Sequence, residues 1–128
     1  MTAGEAAVRQ GGVIIICAAC ADGSGGESFR RTLAEAPSPR AVLERIAGVP
    51  RNRTRPDQWE SQILARVLVR ATVIVVSRDI DPELPRSMHM KHASSLPEAL
   101  GMARALLPGT APRIAVIPDG VSVIVSKQ

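Results

Sequence analysis

The 128-residue chain reads as a single α/β domain of three layers, a mostly parallel sheet with helices on both faces. Three observations carry that reading. Two runs, Val13 to Ala19 and Thr72 to Val76, are almost wholly apolar, as strands covered by helices above and below tend to be. Amphipathic stretches with helix-start residues stand between and after the runs. A glycine-rich stretch, Asp22-Gly23-Ser24-Gly25-Gly26, follows the first run at once, where a strand hands over to a helix. In open α/β sheets that edge collects ligands. The first run is therefore expected to be a central strand whose loop faces whatever the protein handles.

The elements follow in order. Residues 3–10 are Ala-rich and helical in character, and Gly11-Gly12 ends them before the first strand. Beyond the glycine loop, Glu27 to Ala36 carries Phe29, Leu33 and Ala34 at helical spacing. Ser38-Pro39 is an N-cap and first-turn pair for a helix over 38–47, with Val42, Leu43 and Ile46 on one face, closed by Gly48 and Pro50. A polar loop with Arg51, Arg53 and Arg55 leads to Asp57 and Glu60, spaced like a capping box, and to a helix over 57–70 striped by Ile63, Leu64, Val67 and Leu68. Thr72 to Val76 is the second buried strand. Asp81-Pro82-Glu83 starts a short helix, and Met88 to His92 reads as a short strand. Ser94-Ser95-Leu96-Pro97-Glu98 is a second capping box opening a helix to Leu107, stopped by Pro108-Gly109. Two last strands are expected at 113–117 and 121–125, joined by Pro118-Asp119-Gly120, a turn short enough to make an antiparallel edge strand.

Composition narrows the function classes. Aromatics make up only 2% of the chain, with Phe29 and Trp59 and no tyrosine, so the core must be aliphatic and no base-stacking platform is available. Net charge is +4, and fourteen of the sixteen basic residues are arginines scattered along the chain. That balance suits an anionic ligand or an acidic partner surface and does not call for nucleic acid. No apolar run approaches the ~20 residues of a membrane span, and no charged-then-apolar leader opens the chain. A cytoplasmic protein without a membrane partner is the expectation.

Several residues suggest chemistry. Gly23-x-Gly25 has the start of a dinucleotide fingerprint, but Ser28 holds the third glycine position and no phosphate-loop lysine is present. The loop is then either a ligand or domain-interface loop, or a strand-to-helix turn that needs positive φ. Cys17-x-x-Cys20 and His89-x-x-His92 have the spacing of zinc ligands, but cysteines three apart on an apolar strand face opposite ways, so buried thiols describe them better and no metal site is expected. The histidines lie in a polar connection with no carboxylate pair beside them. Trp59, the only tryptophan, opens an amphipathic helix whose stripe does not need it. It either covers the end of the core or stands as an aromatic wall before a ligand or second domain.

Taken together, Gly-Gly-Val-Ile-Ile-Ile, then Asp22-Gly23-x-Gly25-Gly26-Glu27-x-Phe29, Gln58-Trp59-x-x-Gln62-x-x-Ala65-Arg66-Val67-Leu68, Thr72-Val-Ile-Val-Val and Ile117-Pro118-Asp119-Gly120-Val121 resemble the C-terminal domain of the nickel-dependent lactate racemase family. The resemblance covers nearly the whole chain, in order. It implies a lactate racemase C-terminal-like domain over 1–128, without the N-terminal catalytic domain. Enzymes of that family are two-domain isomerases that invert 2-hydroxyacids by passing a hydride to and from a nickel-pincer nucleotide held by a lysine of the N-terminal domain, where two catalytic histidines also lie. The C-terminal domain closes over the cofactor cleft, and Trp59 matches the family's substrate-side tryptophan.

The family's Tyr-Gln-x-x-Lys segment has no counterpart here. The resemblance therefore implies no catalytic residue and no cofactor bound by this chain alone, with Asp22, Gly23, Ser24, Gly25 and Gly26 as a cleft loop. The partner it implies is an N-terminal catalytic domain or separate subunit. A stand-alone small-anion or nucleotide binding module using the glycine loop is the alternative.

Overall fold

The computed structural model describes residues 1–109 and 111–125. Strands β1 (Val13–Cys17), β2 (Thr72–Val76) and β3 (Lys91–Ala93) form a sheet in the order β1-β2-β3, parallel throughout. Val13 pairs with Thr72 and Cys17 with Val76; Ile74 pairs with Lys91 and Val76 with Ala93. Parallel neighbours need crossovers. Helices α2 (Glu27–Ala34), α3 (Pro39–Ala47) and α4 (Gln58–Arg70) supply the first, and α5 (Glu83–Ser87) the second. Helix α1 (Thr2–Ala7) precedes β1, and α6 (Leu96–Leu106) follows β3.

The strand pleat sorts the core into layers, because successive side chains point to opposite faces. Ile14, Val73 and Val75 are buried with Val67 of α4 on one face. Ile74 and Ala93 are buried with Ala99 of α6 on the other, and Val13, Ile15 and Val76 pack around them. Behind α4, a further cluster of Leu33, Val42, Ile46, Leu64 and Ala65 holds α2 and α3 in place. The three-layer α/β architecture and the parallel sheet expected from the sequence are thus present. The Ser38 cap also forms as expected: its Oγ accepts from the Ala41 amide at 3.2 Å.

Other expectations need correction. β1 is an edge strand, not a central one; β2 is central. Within β1 only Ile14 is fully buried, and the strand ends at an exposed Cys17 rather than at Ala19. Cys20 lies beyond it with φ 54°, a left-handed conformation that breaks strand geometry, so the two thiols do not share a strand. β3 starts three residues later than expected. Met88 and Met90 amides bond back to the Pro85 carbonyl, and His89 turns at φ 63°, so the α5 exit occupies the preceding residues.

Asp57 makes no side-chain cap on α4 and takes φ 61°; the first turn is closed instead by Arg55 and Gln58, each amide bonding the other residue's oxygen at 3.3 Å. In α6, the Ser95 hydroxyl accepts from the Glu98 amide at 3.4 Å, but the Glu98 carboxylate reaches the Ser94 amide at 2.8 Å rather than that of Ser95.

The largest difference lies at the end of the chain. Residues 113–117 and 121–125 are not strands, and no antiparallel edge forms. This arm runs past the outer edge of β1, separated from it by a cavity of about 750 Å³ lined by Val13, Ile15, Leu107, Ile114 and Ile117. At the expected turn, Asp119 Oδ1 instead accepts from the Val121 and Ser122 amides at 3.1 and 3.2 Å. That bond pattern folds the chain locally without bringing two strands together.

Candidate functional site

All three strands run the same way, so their carboxyl ends share one edge. α2 and α6 begin there because each follows a strand end; α4 begins there because it runs back to feed β2. The glycine loop and the first turn of α4 therefore meet on the edge where open α/β sheets bind ligands.

The loop is built for close approach. Gly23 and Gly25 take φ of 69° and 79°, which a side-chain-bearing residue adopts at a cost. Gly26 caps α2 with an extended backbone, and a Cβ there would stand 2.8 Å from Asp57 Oδ2. Only glycine lets the loop lie against Asp57. The carboxylate at the start of α2 suits the helix dipole and takes the place an anion would want. It weighs against the small-anion or nucleotide reading of this loop.

Asp22 and Ser24 belong to the same turn, Asp22 exposed and Ser24 half-buried. Trp59 lies two residues beyond Asp57 and is 63% exposed, so it does not cover the core. The structure thus brings Asp22, Gly23, Ser24, Gly25, Gly26 and Trp59 to one edge.

Beside them is an open cleft of about 450 Å³, lined by Ala18, Ala19, Ser77, Arg78, Ser94 and Ser95. Its floor is stitched between strand ends: Ser77 Oγ donates to the Ala19 carbonyl at 3.0 Å, and His92 Nε2 donates to the Ser77 carbonyl at 2.9 Å. The sequence reading gives Ser77 and Arg78 no role, and Ser94 and Ser95 only a part in the start of a helix. Their signal was available, since each follows directly on the end of a buried or short strand.

The other candidates separate. His89 Nε2 donates to the Leu33 carbonyl of α2 at 3.0 Å. His92 serves the strand end described above. Both act as structural donors. Cys17 and Cys20 are free thiols, and among the described residues no three His, Cys, Asp or Glu side chains gather where they could hold a metal ion. Arg51, Arg53 and Arg55 are exposed on a 3-10 turn and its exit.

A family model described as the lactate racemase C-terminal domain matches residues 1–125. The chain belongs to that family. It is 49% identical along its whole length to the lactate racemase of Thermoanaerobacterium thermosaccharolyticum, covering 30% of that protein. It is 47% identical over 98% of its length to the lactate racemase of Lactiplantibacillus plantarum, covering 29% of that protein. The solved lactate racemase apoprotein from T. thermosaccharolyticum superimposes with a TM-score of 0.94 at 49% identity, over 98% of this chain and 30% of that one.

The chain thus spans about 30% of the length of the lactate racemases it matches, and corresponds to their C-terminal part. No helix among the described residues is long and apolar enough to cross a membrane.

Proposed function

We propose that this lactate racemase C-terminal domain acts as a cap, closing over a cleft formed with an N-terminal catalytic domain or subunit, in a cytoplasmic 2-hydroxyacid racemase or epimerase. The observation that carries the reading is the contact of Gly26 with Asp57, which sets the glycine loop beside the first turn of α4. One edge then offers a tight loop and an exposed indole. Trp59 is the substrate-side residue: a large apolar face excludes water from a bound 2-hydroxyacid while leaving its polar groups to the catalytic half. Asp22 to Gly26 form the loop that meets the opposing domain.

The family's nickel-pincer nucleotide supplies hydride transfer when bound, through a covalent lysine anchor. Among the described residues no lysine fits that anchor. Lys91 opens β3 at the amino end, across the sheet from the site, and Lys127 lies outside the described residues. Holding the cofactor falls to the remainder of the enzyme, and the domain alone is inactive.

The test joins this chain in place of the matched C-terminal part of the T. thermosaccharolyticum lactate racemase. W59A should lower racemisation by about tenfold or more, through lost positioning, while leaving the fold intact. Racemisation by the isolated chain with mature cofactor, or an unaffected W59A fusion, would overturn the reading.

A further inference from the structure

The arm, residues 111–125, has the composition of core and the exposure of surface. Val121 and Ile124 are 96% and 97% exposed, and Ile114 and Val116 also stand mostly in solvent. Within 111–125 the hydrogen bonds all gather on Asp119, which accepts from Val121 and Ser122, and the backbone of 113–117 has no hydrogen-bond partner among the described residues. A contiguous apolar segment of this kind marks an interaction surface. The β1 edge across the cavity from it is likewise unpaired on its outer side. Extended backbone with free amides and carbonyls, set opposite a free strand edge, is the geometry that takes up another chain segment.

The length of the relatives says what that segment is. The matched lactate racemases carry more than twice as much chain again outside the part seen here. The superposition on the solved apoprotein leaves too little of this chain uncovered to omit the arm, so the aligned span takes the arm in. We propose that the arm and the outer edge of β1 together form a docking surface for the remainder of the lactate racemase chain, an apolar segment of which fills the cavity between them and covers Val121 and Ile124. This rests on the cap reading for its partner, but it assigns the contact to the amino-edge and arm side of the domain, away from the loop and Trp59. The arm is the fixed attachment, and the carboxyl edge is left free to open and close.

The fusion described above tests this by amide hydrogen exchange, with residues 72–76 of the central strand reporting that the domain is folded. Exchange at 111–125 should slow by about tenfold or more in the fused chain relative to the isolated one. V121D/I124D should restore fast exchange there and leave 72–76 protected, because neither side chain supports the isolated fold. Equal exchange of the arm in fused and isolated chains would overturn the proposal. So would an arm that stays protected in the double variant, or a fusion whose catalytic half fails to fold while 72–76 remain protected. A protected arm in a fusion whose racemisation ignores W59A would strike the cap reading alone.

Discussion

The central strand and the arm are written in nearly the same letters and meet opposite fates. Thr72-Val-Ile-Val-Val lies in the middle of the sheet with Val73 and Ile74 inaccessible to solvent, while Val121-Ser-Val-Ile-Val carries two of the most exposed side chains in the domain. Composition decides that a segment must be covered; it does not decide by what. β2 has partners within the chain: β1 and β3 on its edges, α4 and α6 on its faces. The arm has none of these. What separates the two is the set of partners each finds among the described residues.

The sharpest way to break this comparison is to truncate one isoleucine in each. Ile74→Ala should cost about 2–5 kcal/mol, since it removes a fully buried side chain between β2 and α6 and leaves a cavity. Ile124→Ala in the isolated domain should change stability by no more than about 0.5 kcal/mol, because the side chain stands in water. Chemical denaturation of both variants checks this. A large loss from Ile124→Ala would mean that the arm is packed into the domain after all.

Glycines sharpen it further, at a smaller scale. Gly12 is buried where α1 turns into β1, and a Cβ there would meet Val8 Cγ2 at 2.6 Å and the Arg9 carbonyl oxygen at 3.0 Å. Gly12→Ala should destabilise by about 1–3 kcal/mol, as overpacking does. Gly120 in the arm has nothing within 4 Å of a built Cβ, so Gly120→Ala should be neutral within about 0.5 kcal/mol. Thermal unfolding of the two variants side by side gives the difference directly.

The same contrast explains what could be read from the sequence. Elements whose determinants are local were legible: the Ser38-Pro39 cap, the α4 stripe and the run at 72–76 each carry their cause within a few residues. The family was legible too, because its motifs lie in register along the chain. β1 was misplaced in the sheet because strand order is set by crossovers, and an apolar run does not record how many neighbours it has. Asp57 has the spacing to Glu60 of a capping box, but it takes φ 61° and its carboxylate lies beside Gly26, a neighbour far off in sequence. The cleft formed by Ser77, Arg78, Ser94 and Ser95 is not legible in the sequence, where Ser94 and Ser95 read only as a helix start and Ser77 and Arg78 carry no mark except position after a strand. The arm has the letters of two strands, but strand propensity is a statement about fit to a pleated, half-buried surface, and no such surface meets it among the described residues.

Protons offer the gentlest probe of the same divide. Glu98 and Asp119 stand one on each side of it, and hydrogen bonds hold both carboxylates below their ordinary range: Glu98 mainly by the Ser94 hydroxyl and amide, and Asp119 by Ser122 and Val121. A carboxyl group whose folded value is depressed contributes stability that is present above its unfolded value and is lost as pH falls through the folded one. For Glu98 that loss acts on the start of α6, which packs on the sheet, so acid should lower the melting temperature of the domain slightly. Ser94→Ala should raise the Glu98 value toward the ordinary range and remove that part of the pH dependence. For Asp119 the same protonation releases only the local turn of the arm. Asp119→Asn should therefore leave the isolated domain's acid melting curve unchanged, while NMR shows the Val121 and Ser122 amides shifting. If Asp119→Asn moved the melting curve as Ser94→Ala does, the arm would be coupled to the folded body, and the division between a covered strand and an uncovered one would have to be redrawn.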